Sequence, residues 1–103
     1  MTDSTGKLPE IDRLVHEPAR LAILTVLSSC RTADFLFLQN ATGLSKGNLS
    51  VQLSKLEEAG LIRIRKEIVD KKTHTTASLS VRGEREIATY WKTMDRLRQA
   101  FSS

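Results

Sequence analysis

Two groups of polar and basic side chains have types and spacing that suit hydrogen bonding and charge pairing. The first lies between residues 45 and 55 and combines hydroxyl, amide and amine groups. The second lies between residues 61 and 76, where five Lys and Arg against one Asp and one Glu leave a charge of +3, most of the formal net charge of +4. Such side chains bind polyanions, and nucleic acid is the leading candidate partner.

Residues for other kinds of chemistry lack suitable spacing. His16 and His74 are far apart in the sequence and have no companion at metal-ligand spacing, so no metal or cofactor is predicted. The sequence contains no catalytic dyad, phosphate loop or nucleophile motif, and we expect no enzyme activity. Cys30 follows an apolar segment and is predicted to be a small buried side chain rather than a redox-sensing thiol.

The chain has 103 residues, a length that fits one domain. Its single cysteine cannot form an intramolecular disulfide, and the first residues lack the pattern of a secretory signal, so a cytoplasmic protein is expected. The apolar stretches are too short to cross a membrane, and no membrane partner is predicted.

The N-terminal part is predicted to contain a disordered tail, residues 1–7, and two helices. Pro9 suits the start of the first helix, which Pro18 should end. Pro18 then begins a second helix that runs to Ser29. Its apolar residues cover most of the circumference, which predicts a central core helix buried on nearly all sides.

A helix-turn-helix is predicted next. Thr32 is expected to cap a helix that ends at Thr42–Gly43, although the run Phe35–Leu38 also fits a short buried strand. Ser45 is expected to cap a second helix reaching Ala59, in which Leu49, Leu53 and Leu56 form a narrow buried stripe. The four-residue connection between these helices is typical of the motif.

After Gly60 the apolar period changes to two, which predicts strands. Ile62, Ile64 and Ile68 should share one face of the first strand, and Asp70–Lys72 should form a charged turn before a returning strand. A β-hairpin directly after a helix-turn-helix is a wing. The predicted fold is therefore mainly α with a small β-hairpin (α+β), a winged helix-turn-helix.

Ser80 is expected to cap a last helix whose apolar residues recur every three or four positions, as in a heptad seam. The seam favours self-association as a homodimer, while packing against the first helix of the same chain stays an alternative. We expect a DNA-binding domain over residues 8–80 and a dimerisation element over 81–103. The predicted dimer contacts are Leu8, Ile11, Ile87, Tyr90, Trp91, Met94, Leu97 and Phe101.

Residues 14–101 resemble the small one-domain winged-helix transcriptional regulators of the MarR and ArsR type. The matching segments are HEPARLAIL at 16–24, NATGLSKGNLS at 40–50, LSKLEEAGLI at 53–62 and LSVRG at 79–83. The resemblance implies a homodimer that places the helix beginning at Ser45 in the major groove and the wing on the backbone or minor groove. The metal-sensing cluster and the long extra helices of many relatives are missing, so a small-molecule effector is not indicated.

Double-stranded DNA is the expected partner, and two sets of contacts are predicted. Base edges should be reached by Lys46, Asn48, Ser50 and Val51, with Gly47 allowing close approach. Phosphates should be bound by Ser45, Ser54, Lys55, Arg63, Arg65, Lys71, Lys72 and Thr73. An ordinary solvated surface is the alternative for each residue. For the whole chain the alternative is a winged-helix protein-interaction module, because the recognition helix contains no arginine.

Overall fold

A computed structural model describes residues 10–101 of the chain. Within them, four helices and a three-stranded antiparallel sheet form the fold. The predicted fold class, an α+β winged helix, is confirmed. The elements in chain order are α1 Pro18–Cys30, β1 Thr32–Asp34, α2 Phe35–Thr42, α3 Lys46–Glu58, β2 Ile62–Val69, β3 Lys72–Leu79 and α4 Val81–Ala100. The predictions for the tail at 1–7, for Leu8 and for Pro9 lie outside the described residues.

The helix predicted before Pro18 is wrong for residues 10–17, which contain only a turn at residues 13–15. The Asp12 carboxylate accepts a hydrogen bond from the Leu14 amide at 2.9 Å, and the Asp12 carbonyl accepts one from the His16 amide at 2.8 Å. These two bonds are those of a helix start, but only one turn forms, because Pro18 disfavours the helical conformation at Glu17, which is extended at φ −145°. The first described helix, α1, begins at Pro18, where Glu17 caps it by accepting a bond from the Arg20 amide at 2.8 Å.

Thr32 was expected to cap the next helix, and this prediction is wrong. Residues 32–34 form β1, which pairs with β3 through Thr32↔Ser78, Ala33↔Ala77 and Asp34↔Thr76. The cap is Asp34, whose Oδ1 accepts a bond from the Phe37 amide at 2.8 Å. Phe35–Leu38 is helical, so the strand alternative for that run is also wrong.

The connection between the two helices of the helix-turn-helix lies where it was predicted, and α3 ends one residue before the predicted Ala59. Gly43 ends α2 at φ +73°, a left-handed conformation that favours glycine. Ser45 caps α3, and its Oγ accepts a bond from the Asn48 amide at 3.1 Å. The α3 leucines at positions 49, 53 and 56 are buried in the core against α1 and α2, with Ile23, Leu24 and Leu38.

The hairpin formed by β2 and β3 is the wing, with a register from Ile62↔Leu79 to Val69↔Lys72. Its turn consists of Asp70 and Lys71, both at positive φ (51° and 65°), as in a two-residue type I′ hairpin. Lys72, predicted as part of the turn, is the first residue of β3.

The central helix α1 is buried on one side rather than on nearly all sides. Ile23, Leu24 and Leu27 are buried, whereas Thr25 and the last three residues of the helix are exposed. Cys30 is one of these exposed residues, so the prediction of a buried thiol is wrong. Its thiol lies 3.1 Å from the Val26 carbonyl at the helix end, where α1 leaves the core.

The start of α4 is fixed to the end of α3. Ser80 caps α4 as predicted, and its hydroxyl donates to the Gly60 carbonyl at 2.6 Å while accepting from the Gly83 amide at 2.9 Å. A Cβ at Gly83 would overlap the Leu61 carbonyl oxygen, so this close approach requires glycine. None of the helices within residues 10–101 is long and apolar enough to cross a membrane.

Candidate nucleic-acid interface

The exposed face of α3 and its cap carries every residue predicted to contact DNA from this helix. With three leucines directed into the core, the opposite side faces solvent. The space beside Gly47 is open, so a larger side chain at this position would not clash with the rest of the described protein. The exposed residues are Ser45, Lys46, Gly47, Asn48, Ser50, Val51, Ser54 and Lys55.

Gln52 and Arg20 lie beneath this face, and the sequence analysis predicted no role for either. Gln52 is buried, and its Nε2 donates to Asn48 Oδ1 at 3.1 Å. Its Oε1 accepts from Arg20 Nη1 of α1 at 3.0 Å. The i to i+4 spacing of Asn48 and Gln52 was visible in the sequence, but the contribution of Arg20 depends on how α1 packs against α3.

A groove separates α3 from the wing. Ser50, Ser54 and Glu57 line it on the α3 side, and Lys66 and Thr75 line it on the wing side, together with Phe35, Leu53 and Ile64. Lys66 was not among the predicted contact residues. Strand alternation from Ile62, which is buried, and Ile64, which is half-buried, would have placed it on this face.

Arg63 and Arg65 lie on the other face of the wing. Successive side chains of a strand alternate between faces, so both are directed away from the groove that Lys66 lines. Arg65 Nε forms an exposed ion pair with Glu67 Oε1 at 2.8 Å, which engages part of its charge. The contribution of these two arginines to binding remains a prediction.

The tip of the wing is exposed and basic. Lys71 lies in the turn, while Lys72 and Thr73 begin β3. Thr73 pairs with Ile68, and both share the face of Lys66 and Thr75. Ile68 is 79% exposed, because the strand has left the core by this point.

The predicted dimer residues of α4 fall into two groups. Ile87 and Tyr90 are buried in the core of the chain itself, which corrects their prediction as dimer contacts and favours the intramolecular alternative for these two residues. Trp91 and Phe101 are 47% and 75% exposed, whereas Met94, Leu97 and, before α1, Ile11 are half-buried.

One of the two histidines is hydrogen-bonded to a tyrosine of α4. His16 Nδ1 and Tyr90 Oη are 2.8 Å apart, which connects the N-terminal turn to α4. Within residues 10–101, no group of three or more His, Cys, Asp or Glu side chains is arranged to hold a metal ion. The chemistry available at this surface is hydrogen bonding and charge pairing.

The sequence matches a family of DNA-binding proteins. A family model described as a winged helix DNA-binding domain matches residues 19–98. An uncharacterized protein of Methanocaldococcus jannaschii, MJ0432, is 27% identical over 71 residues, which are 69% of this chain and 77% of that protein.

Solved structures show the same fold. A transcriptional regulator homologue from Pyrococcus horikoshii superposes with a TM-score of 0.83 at 25% identity, covering 89% of this chain and 91% of that one. A MarR-family transcriptional regulator from Silicibacter pomeroyi superposes with a TM-score of 0.65 at 23% identity, covering 86% of this chain and 67% of that one.

Proposed function

This chain belongs to the winged helix DNA-binding domain family, and we propose that it binds double-stranded DNA sequence-specifically as a homodimeric transcriptional regulator. The observation that carries the proposal is the exposed polar face of α3 beside a basic wing. Leu49, Leu53 and Leu56 hold one side of α3 in the core, and the other side is free to enter a major groove.

Each part of the surface has a distinct task in this proposal. Asn48, Ser50, Lys46 and Val51 reach base edges from the first turns of α3, where recognition helices approach the groove floor. The wing follows the neighbouring backbone or minor groove, and Lys71, Lys72 and Thr73 bind phosphates.

The proposed dimer forms through the second half of α4, which projects beyond the core. Trp91 and Phe101 are exposed there, and Met94 and Leu97 are half-buried in the single chain. Two copies related by twofold symmetry would place their α3 helices in successive major grooves, about 34 Å apart. Light scattering at micromolar concentration should give twice the chain mass, with Trp91→Glu shifting it toward the monomer, and a monomeric wild type contradicts the dimer.

DNA binding is tested by titrating a labelled duplex, selected from a random pool by the wild-type protein, at two salt concentrations. Lys71→Glu combined with Lys72→Glu should weaken binding about 100-fold or more, because each subunit of a dimer loses two phosphate contacts. Each lost contact should also reduce the slope of log binding constant against log salt concentration by about 0.9. Arg85→Glu combined with Lys92→Glu is the matched control, because it changes the net charge equally on α4, and light scattering must show that this variant has the same mass as the wild type.

Two results would contradict the proposal. One is the absence of duplex binding by the wild-type protein at low salt, and the other is equal weakening by the wing and control variants. In the first case, the exposed Leu36 and Phe37 on α2 would favour the protein-interaction module instead.

A further inference from the structure

A chain of hydrogen bonds crosses from α1 to the exposed face of α3. Arg20 Nη1 donates to Gln52 Oε1 at 3.0 Å, and Gln52 Nε2 donates to Asn48 Oδ1 at 3.1 Å. Arg20 is itself held by the N-terminal turn, because its Nε donates to the Leu14 carbonyl at 2.7 Å. A buried amide thus connects a guanidinium on one helix with an exposed amide on another.

The chemistry of the arginine sets the direction of every bond in this chain. A guanidinium only donates hydrogen bonds, so Gln52 must turn its oxygen toward Arg20 and its nitrogen toward Asn48. Asn48 must then turn its oxygen toward Gln52. Arg20 of α1 therefore determines which way the exposed Asn48 amide faces. Without these bonds, the amide would be free to rotate by 180°.

We propose that Arg20 and Gln52 are positioning residues that preset the Asn48 amide to read one adenine in the bound DNA, although neither contacts the DNA itself. The inference rests on the proposed function. Adenine presents the N7 acceptor and the N6 donor in the major groove, and an asparagine pairs with both. Asn48 retains both N–H groups of Nδ2 and the second lone pair of Oδ1 for this purpose.

The preset orientation affects the choice of base more than the overall affinity. A bidentate asparagine–adenine pair accounts for about 5-fold to 150-fold discrimination against other bases. Without Gln52, the Asn48 amide rotates freely and can present donor and acceptor in the wrong order. We therefore expect Gln52→Leu to lower the adenine preference about fivefold or more, with the affinity for an unrelated duplex staying within about twofold.

The experiment starts from the binding site that wild-type protein selects from a random duplex pool. Asn48→Ala identifies the base pair that depends on Asn48, and dissociation constants are then measured for duplexes carrying each of the four base pairs there. Gln99→Leu is the matched control, because Gln99 also donates to the residue four positions earlier, Asp95, at 3.2 Å, but lies on α4.

A second set of variants separates orientation from simple bridging of the helices. In Gln52→Glu the carboxylate still accepts from Arg20 but cannot donate to Asn48, so thermal stability should be retained while the adenine preference is lost. Arg20→Lys keeps a donor for Gln52 and should retain the preference, whereas Arg20→Met should lose it.

The outcomes distinguish this inference from the proposed function. Absence of duplex binding by the wild-type protein overturns both. Specific binding with an unchanged preference in Gln52→Leu and Gln52→Glu overturns the positioning role alone, as does an Asn48→Ala variant that alters the preference at no position. Gln52→Leu should add nothing to Asn48→Ala at the adenine, and an additional loss there also contradicts the inference.

Discussion

The first turns of α3 and the tip of the wing form the two parts of the proposed interface, and they are built in opposite ways. The exposed residues in the first turns of α3 are mostly neutral. Three buried leucines and the hydrogen bond between Arg20 and Gln52 hold this helix against the core. The wing tip is basic and exposed on both faces. The rigid part therefore suits the reading of bases, and the charged part suits binding to a phosphate backbone of any sequence.

The largest effect should come from a comparison of matched apolar truncations in the two regions. Leu49→Ala removes a buried side chain under α3 and should lower the free energy of unfolding by about 2–5 kcal/mol. Ile68→Ala removes a side chain that is already exposed and should change it by about 0.5 kcal/mol or less. Urea unfolding at one protein concentration measures both.

Similar losses for the two variants would contradict the distinction between an anchored helix and a free wing. A large loss for Ile68→Ala alone would indicate that the wing is packed against a second copy of the chain.

The two faces of the wing give the next prediction. Lys66 lines the groove beside α3, whereas Arg65 lies on the opposite face and pairs with Glu67. In a dimer, Lys66→Ala should weaken duplex binding by roughly 10-fold to 100-fold at 0.1 M salt and lower the salt slope by about 2. Arg65→Ala should have a smaller effect, within about threefold, because its charge is directed away from the groove and is partly engaged.

Titrations at several salt concentrations decide between the faces. If Arg65→Ala is the more damaging change, the DNA backbone runs along the outer face of the wing, and contacts from Arg63 and Arg65 are favoured.

The parts of the fold that the sequence predicts correctly are those with local causes. The cap at Ser45, the leucine spacing in α3 and the glycine at position 43 all act within a few residues of where they stand. The residues that face outward from α3 follow directly from this spacing. The exposure of that helix face could therefore be derived before any tertiary contact was known.

The errors concern features with distant partners and the length to which a local element continues. Strand β1 exists because residues 76–78 pair with it, and this partner lies more than 40 residues later. The segment from Asp12 to His16 completes a single turn, because the residue before Pro18 is extended and the segment is too short to continue as a helix. Gln52 has an ordinary helical position, and only the packing of Arg20 against it reveals the bond that orients Asn48.

The smallest effect concerns the conformation of the wing turn rather than its charge. Lys71 has a φ of 65°, a left-handed conformation that costs a residue with a Cβ about 1 kcal/mol. Lys71→Gly and Lys71→Ala remove the same charge, so both should weaken DNA binding equally. Only glycine relieves the strain, and amide exchange in β3 should be slower in Lys71→Gly than in Lys71→Ala by about fivefold. If the glycine variant binds DNA more weakly than the alanine variant, the turn must be held rigid for binding, and the proposed separation between a rigid reading helix and an adaptable charged wing is wrong.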